Sequence, residues 1–484
     1  ISTPFPYWKR GGTVLIGACL IGLCIFGIRG RTGYNPIKVS AAYFCQDAFL
    51  NQLGVSPTFN LLTSVMDDMR PENKYLHLMD EQEAITKAQA LLNRPGDANV
   101  SPLAVYRHAA KADSVQQRRP NVVLIMMESM SAKFMKHFGQ SETLTPFLDS
   151  LYTRSISFRN FYSAGIHTNH GLYATLYSFP AMMKRNLMKG SVIPRYSGLP
   201  TVLKENGYYN LFFMTHEGQY DNMNAFFRTN GYDEVFSQED YPADKVVNSF
   251  GVQDDFLYDY AIPVLNQRAA TGQPFFATLL SISNHPPYVI PPFFHPKTSE
   301  PEMQIVEYAD WALRQFFEEA RKQPWFDNTI FVLEGDHGKL VGDAECELPE
   351  SYNHIPLMIY SSRIQPEEKT AFGGQVDIQP TILGLLNIDY LQNNFGVDLL
   401  KEERPCMFYT ADNMVVGRND TLLYLYNYET QQELTYHIGN GKLNAVPMDD
   451  SFLPLKEYSF SMLQSAEFLV KHGKTLNSIP FTQQ

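Results

Sequence analysis

An apolar run that ends on a carboxylate constrains this chain more than any other feature. Asn121-Val-Val-Leu-Ile-Met-Met127 carries no charge and stops at Glu128. Such a run reads as a strand buried on both faces. An acid set directly behind it is costly to bury without a partner, so Glu128 calls for either an ion pair with a Lys or Arg or a bound cation. The stretch closes with Ser163-Ala-Gly-Ile-His-Thr168-Asn-His-Gly171, a hydroxyl at the head of an expected helix. A strand ending in a carboxylate, followed by a hydroxyl at a helix N-terminus, points to a metal-activated nucleophile in an α/β enzyme. The rest of the chain has to supply the missing ligands.

The sequence after Asn121 alternates in that way. Strands are expected at Asn121–Met127, Ile156–Tyr162, Tyr208–Phe213, Phe275–Ile282, Thr329–Leu333 and Leu357–Tyr360. Helices are expected between them at Thr145–Thr153, Asn169–Phe179, Leu199–Asn206, Asp254–Asn266 and Pro301–Arg321. Short apolar strands separated by amphipathic helices predict a central, mostly parallel sheet sandwiched by helices. Sheets of this kind place ligands at the carboxyl ends of their strands. Glu128, His216, His285 and Asp336-His337 all sit just past such an end. Beyond Pro405 the pattern changes to short strands and turns, with Gly417-Arg-Asn-Asp as a hairpin turn and a last helix near Leu455–His472. This predicts a smaller C-terminal α+β part.

Ahead of the strands, Thr13–Ile28 carries no charge and is flanked by Tyr7, Trp8, Lys9 and Arg10 and by Arg29 and Arg31. Aromatic and basic flanks mark a membrane helix, although the run is slightly short of the roughly 20 residues that span a bilayer. No small-x-small cleavage site follows and the chain does not start with Met, so a span in the tail of a longer polytopic protein is expected over a signal peptide. From Pro36 to about Gln117 the pattern is amphipathic and helical, over Ala41–Leu53 and Asp80–Leu92 for example. The expected division is therefore a membrane segment at 1–35, a helical linker at 36–117, a catalytic domain at 118–400 and a C-terminal subdomain at 401–484. A net charge of −12 argues against a general nucleic-acid binder. The five cysteines show no CxxC spacing, which removes zinc-ribbon and redox motifs and leaves room for at most one expected disulfide.

Phe331-Val-Leu-Glu-Gly-Asp336-His337-Gly338 is the second cluster. Adjacent Asp and His at a strand end can both reach one ion, and Gly lets the backbone pass close to a bound group; a structural Asp–His hydrogen bond is the other reading. Thr168 is the third. Its hydroxyl is a weak nucleophile until a metal or base activates it, and a helix N-terminus suits the oxygens of an attacked phosphate. An ordinary N-cap is the plainer fate of such a Thr.

Taken in order, Glu128, Thr168 and Asp336-His337, with Ser283-Asn284-His285-Pro286 between, resemble the sulfatase-like catalytic domain of lipoteichoic acid synthases and related phosphoglycerol transferases, in the alkaline phosphatase superfamily. The resemblance covers roughly Asn121 to Asp389, and Gln375-Val-Asp-Ile-Gln-Pro-Thr-Ile-Leu383 resembles a helix-start signature of sulfatase-like domains. It implies that Glu128, Thr168, Asp336 and His337 bind one divalent ion, with Mn²⁺ the usual expectation and Zn²⁺ or Mg²⁺ as alternatives. It further implies Thr168 as nucleophile and His285 as a substrate-binding histidine.

This chain also departs from its relatives. Thr168-Asn-His-Gly-Leu replaces the C/S-x-P-x-R motif of true sulfatases, so formylglycine chemistry is not expected. His216-Glu-Gly-Gln-Tyr-Asp221-Asn222-Met-Asn224 falls where the synthases place an Asp, a Trp and an Arg on the glycerophosphate, and offers neither Trp nor Arg. His216, Asp221, Asn222 and Asn224 are candidate headgroup contacts or else surface residues. His167 and His170 could hold a phosphate oxygen or cap the helix, and His354 could reach the substrate or a second metal.

The resemblance implies a membrane-anchored, metal-dependent transferase with its catalytic domain on the extracytoplasmic side. It would move a phosphoglycerol headgroup from a phospholipid donor to a glycan or lipid acceptor through a phospho-threonine. Phosphoethanolamine transfer and hydrolysis of a phosphodiester or sulfate ester are the alternatives within the fold. A metal-free module that binds anionic glycans is the alternative outside enzymes.

Overall fold

Tyr7–Arg29 forms a single helix of 23 residues, and its apolar window Gly11–Arg29 buries none of its surface on the rest of the chain. At about 1.5 Å per residue it is roughly 35 Å long, enough to cross a hydrocarbon layer. The helix takes in the flanking residues that made the uncharged run look short. It is the one helix among the described residues with that length and composition. The computed structural model describes residues 7–32, 36–45, 48–70, 74–93, 105–109, 119–190, 193–439 and 441–477.

Helices follow at Ala48–Leu53, Pro57–Asp68 and Glu81–Leu92. Asp80 caps the last of these, its carboxylate accepting from the amides of Gln82 and Glu83. Its apolar face, Ala84, Ile85, Ala88 and Leu92, is buried. Ion pairs Lys87–Glu457 and Lys471–Glu81, at 2.9 and 2.8 Å, tie it to the C-terminal helix Leu453–Lys471. The helical expectation for the linker fails at Tyr106–Ala109, a strand that pairs antiparallel with Tyr390–Asn393. Arg107 is buried there and donates to the carbonyl of Leu92 at 3.0 Å, a long-range tie that local periodicity does not register. The linker residues 94–104 and 110–118 lie outside the described residues.

The main sheet has eight strands: β1 Asn121–Met127, β2 Ile156–Tyr162, β3 Tyr209–Met214, β4 Glu234–Phe236, β5 Phe275–Leu280, β6 Thr329–Gly335, β7 Leu357–Tyr360 and β8 Glu367–Gly374. Their order is β4-β3-β5-β1-β6-β7-β2-β8. Every neighbouring pair is parallel except those made by β7, which runs against both β6 and β2. The central, mostly parallel sheet is as expected. Two strands escape the sequence pattern for physical reasons: β4 has three residues, and β8 is an edge strand whose first half is charged and exposed.

β1 shows why its run is apolar without alternation. Val122, Leu124 and Met126 enter one core, while Val123, Ile125 and Met127 enter the other. The second core is closed by helices Pro146–Tyr152, Asp254–Ala269 and Pro301–Ala320; the first by Thr168–Tyr177, Leu199–Glu205, Met223–Thr229 and Ile378–Leu385. Packing between these helices is also polar: Asp310 accepts from the amides of Phe147 and Leu148, at 2.9 and 2.8 Å, capping a neighbouring helix from the side.

The C-terminal part is a five-stranded antiparallel sheet, Met407–Ala411 through Lys442–Val446, followed by the helix Leu453–Lys471. The expected hairpin after Gly417 is present, with Met414–Arg418 and Leu422–Asn427 paired. All five cysteines are free, so no disulfide holds this part. A fully buried ion pair does. Asp377 accepts from Arg404 through both Nε and Nη2, and also from the amides of Gly374 and Val397. Arg404 donates in turn to Tyr458 Oη, at 2.6 Å, on the C-terminal helix. Removing one member strands a buried charge. Asp377→Ala should therefore cost about 3–5 kcal/mol in chemical unfolding. The double variant Asp377→Ala/Arg404→Met should recover part of that loss, because no charge is left unpaired.

Candidate active site

β1 and β6 lie side by side in parallel, with Met127 opposite Gly335. The residues that follow each strand, Glu128 and Asp336, therefore emerge together at the carboxyl edge of the sheet. The Asp336 amide donates to Met127 O at 3.0 Å, which locks the two strand ends. Asp336 Oδ1 accepts from the amides of Ser129 and His337, at 2.8 and 2.7 Å. Its Oδ2 is buried with no hydrogen-bond partner. Glu128 is 1% exposed, and its Oε1 accepts from Ser129 Oγ at 2.6 Å. Burial, and then the neighbouring Asp336 carboxylate, push the Glu128 carboxyl well above its usual range.

His337 completes the group. Its Nδ1 is 2.7 Å from Gly338 O. A carbonyl can only accept, so Nδ1 carries the hydrogen and Nε2 presents a lone pair. That lone pair lies 3.9 Å from Glu128 Oε1 and 3.6 Å from Asp336 Oδ2. Ligand atoms from the three residues all fall within 4.8 Å of one another. Two carboxylates and an imidazole lone pair turned inward, with one buried oxygen unpartnered, repel one another unless a cation sits among them. The residues present fit a divalent ion, and their O and N donors suit Mn²⁺, Zn²⁺ or Mg²⁺ without selecting one. Gly338 fits its place for a steric reason: a Cβ would run into the carbonyl of Ser351.

Thr168 opens the helix Thr168–Tyr177 and donates its hydroxyl to Glu128 Oε2 at 3.4 Å. Gly171 lets this helix press on the chain at Asp336, whose carbonyl a Cβ would strike. Gln375 braces the arrangement from behind. Its Oε1 accepts from the Ala164 amide at 2.9 Å, and its Nε2 donates to Gly335 O and Asp336 O at 3.1 and 2.7 Å. The Thr168 loop and the Asp336 strand end thus hang on one buried amide.

These residues open onto a cleft of about 580 Å³ lined by Glu128, Thr168, His337, His285, Asp221 and Lys339, among others. His285 has its Nδ1 2.6 Å from Pro286 O, leaving Nε2 for the cleft, and its ring packs against Phe250 at 4.0 Å. Burial lowers its pKa. Asp221 is paired with Lys189 at 2.8 Å.

The remaining candidates fall elsewhere. His216 is 1% exposed and packs on Tyr220 beneath the cleft wall. Asn222 donates to Met188 O at 3.3 Å. Asn224 accepts from Arg228 Nε and donates to Tyr43 O, at 2.7 and 3.2 Å, so it holds the linker to the helix Met223–Thr229. Glu217 takes Arg31 at 2.8 Å. The loop that departs from the synthases is therefore the docking point for the segment leaving the apolar helix, and only Asp221 of the four candidates reaches the cleft. His354 does not line it either. Its Nε2 donates to Arg159 O at 2.8 Å and its ring stacks on Tyr162 at 5.1 Å. Of the flanking histidines, His167 lines the cleft, while His170 is buried with both ring nitrogens unpartnered.

Several cleft groups are absent from the sequence reading. Lys339 donates to Asn284 Oδ1 at 2.7 Å and to Tyr288 Oη at 3.2 Å, and burial brings its pKa down to about 8. Its position directly after Asp-His-Gly was the available signal. Lys184 and Lys189, which line the opposite wall, carry none.

Two carboxylates and an imidazole that could hold an ion, at strand ends beside a hydroxyl on a helix N-terminus, are the arrangement expected of an enzyme of the alkaline phosphatase type. The sulfatase family model matches residues 120–388, and the chain belongs to that family. It is 24% identical to lipoteichoic acid synthase 2 of Bacillus subtilis over 58% of this chain and 47% of that protein. It is 25% identical to lipoteichoic acid synthase 1 of the same organism over 62% and 50%. The chain thus spans about half the length of the curated relatives it matches. Among solved structures, a protein in the alkaline phosphatase superfamily from Vibrio parahaemolyticus superposes with a TM-score of 0.74 at 25% identity, covering 83% of this chain and 98% of that one. The lipoteichoic acid synthase LtaP from Listeria monocytogenes superposes with a TM-score of 0.64 at 19% identity, over 81% and 98%.

Burial pulls the His216 imidazole down to about 4 from an ordinary 6.5. The folded state binds this proton more weakly than the unfolded one, so the contribution is full above pH 6.5 and is lost as pH falls toward 4. Over that window His216 should account for on the order of 3 kcal/mol of acid destabilisation. His216→Asn should flatten the slope of unfolding free energy against pH between 6.5 and 4, whatever its effect at neutral pH.

Proposed function

We propose that this chain is a metal-dependent phosphoglycerol transferase. It would take the headgroup from a phospholipid and pass it to an acceptor hydroxyl on a glycan or lipid, with its catalytic domain on the extracytoplasmic side of the membrane. The observation that carries this reading is Thr168 Oγ1 at the head of its helix, 3.4 Å from Glu128 beside the Asp336–His337 pair. A divalent ion held by Glu128, Asp336, His337 and Thr168 would lower the pKa of the Thr168 hydroxyl and polarise a phosphoryl oxygen. The N-terminus of the Thr168 helix, where a phosphoryl group is favoured by the unpaired first amides and the helix dipole, would suit the remaining phosphoryl oxygens. Lys184, Lys189 and Lys339 line the cleft beside the acids Asp221 and Glu302, and their ammonium groups are donors suited to a phosphodiester.

Thr168 Oγ attacks phosphorus and gives up its proton, the bond to the diacylglycerol oxygen breaks and that oxygen takes up a proton to leave as diacylglycerol, and a phospho-threonine that still carries the glycerol forms. The acceptor hydroxyl then attacks that phosphorus and Thr168 leaves with its proton restored. His285, neutral near pH 7 because burial lowers its pKa, presents Nε2 to take the acceptor's proton. The Arg31–Glu217 and Tyr43–Asn224 ties set the wall of the cleft against the segment that leaves the apolar helix, which suits a substrate anchored in a bilayer. The relatives named as lipoteichoic acid synthases support the same reading.

Thr168→Ala should abolish headgroup release while leaving the unfolding midpoint unchanged. Mass spectrometry of the Thr168 peptide, after incubation with phosphatidylglycerol or phosphatidylethanolamine, should find a phosphoglycerol adduct with the first lipid alone. A phosphoethanolamine adduct would reassign the headgroup, and full turnover by Thr168→Ala would remove the covalent mechanism. Chelation should strip one equivalent of metal and the activity with it. A protein that stays active after metal analysis reads zero would contradict the site.

A further inference from the structure

A second cavity, of about 330 Å³, lies beside the cleft. Five separate parts of the chain wall it, one of them the C-terminal helix through Glu467. Tyr75 comes from the linker, Arg185 from the segment after the Thr168 helix, and Asp412-Asn413 and Tyr428-Glu429 from two turns of the C-terminal sheet. Lys184 lines both this cavity and the cleft. One hydrogen bond joins their linings. His167, next to Thr168, lines the cleft, and its Nε2 lies 2.9 Å from Oδ1 of Asp412, which lines the second cavity.

The two spaces differ in chemistry. In the second cavity the formal charges of the lining balance, Lys74, Lys184 and Arg185 against Asp412, Glu429 and Glu467: Arg185 Nη2 donates to both carboxylate oxygens of Glu467 at 2.9 Å, and Lys184 faces Glu429 at 3.9 Å. Matched charges leave little net field to select an ion, and what remains is a set of directional donors and acceptors. Tyr75, 57% exposed, stands over the Arg185 guanidinium with 5.4 Å between that group and its ring centre. A bared aromatic ring beside carboxylate and amide groups suits a molecule with C–H faces and hydroxyl edges.

We propose that this cavity binds an uncharged hydroxylated ligand, a sugar or polyol, and feeds its free hydroxyl past the His167–Asp412 pair to Thr168. Its role as the acceptor site rests on the transfer reading above; the binding of a hydroxylated ligand does not.

Saturation-transfer NMR on the full chain tests it, in micelles of a detergent without a sugar headgroup. Thr168→Ala serves as the background, so that nothing turns over. Glucose, cellobiose and glycerol are the neutral probes and glycerol 1-phosphate the charged comparison. At least one neutral probe should show transfer, and Tyr75→Ala and Asn413→Ala should each weaken it about tenfold or more in Kd at an unchanged unfolding midpoint. The proposal is overturned by silence from every neutral probe, by a signal that survives both substitutions, or by a signal from glycerol 1-phosphate alone. If a neutral probe binds as expected but the wild-type chain passes no headgroup to it, the binding site stands and the acceptor role falls.

Discussion

Mutual repulsion between Glu128 and Asp336 is the constraint on which the catalytic half of this protein is built. Parallel pairing of β1 with β6 brings two buried carboxylates together at adjacent strand ends, and turns a histidine lone pair on them. Such a grouping is destabilising by itself. It persists because the sheet holds it, through the Asp336–Met127 backbone bond, Ser129 and the Gln375 brace, and because a cation can occupy the point where the ligands converge. The site is a case of local instability held by long-range structure.

The same logic places the rest of the protein around the cleft. The sheet supplies the ligands and one helix N-terminus supplies the hydroxyl. The loop after β3 is engaged in holding the linker through Arg31–Glu217 and Asn224–Tyr43. On the opposite side, the buried Asp377–Arg404 pair joins the helix behind the site to the C-terminal helix through Tyr458. The C-terminal sheet, docked in this way, brings Asp412 to within hydrogen-bond reach of His167. The segment after the apolar helix, the central sheet and the C-terminal part thus all pack around one cleft.

Legibility in the sequence followed the range of the interactions. The apolar run of β1 announced a two-faced strand because each face enters a different core, and both periodicity and composition carry that information. Thr168, Glu128, Asp336 and His337 were legible because each sits at a strand end or a helix start. The polar loop His216–Asn224 was not. His216 and Asn224 look from their neighbours like cleft residues, yet one is enclosed beneath the wall and the other binds a carbonyl of the linker. His354 likewise sits before a strand but spends its ring on Tyr162 and its Nε2–H on Arg159 O.

By itself, the sequence determined the sheet with its helices on both faces, the long apolar helix and the four residues that the fold brings together at the strand ends and the helix start. Those rest on periodicity, charge and residue type, which are properties of short stretches. Tertiary structure alone decided the strand order, with β7 reversed between β6 and β2, and the conversion of the linker's end into a strand. It also decided which lysines ring the cleft, the brace by Gln375 and the second cavity under Tyr75. Each of these depends on contacts between residues far apart in the chain, and the spacing of local residue types carries no record of such contacts.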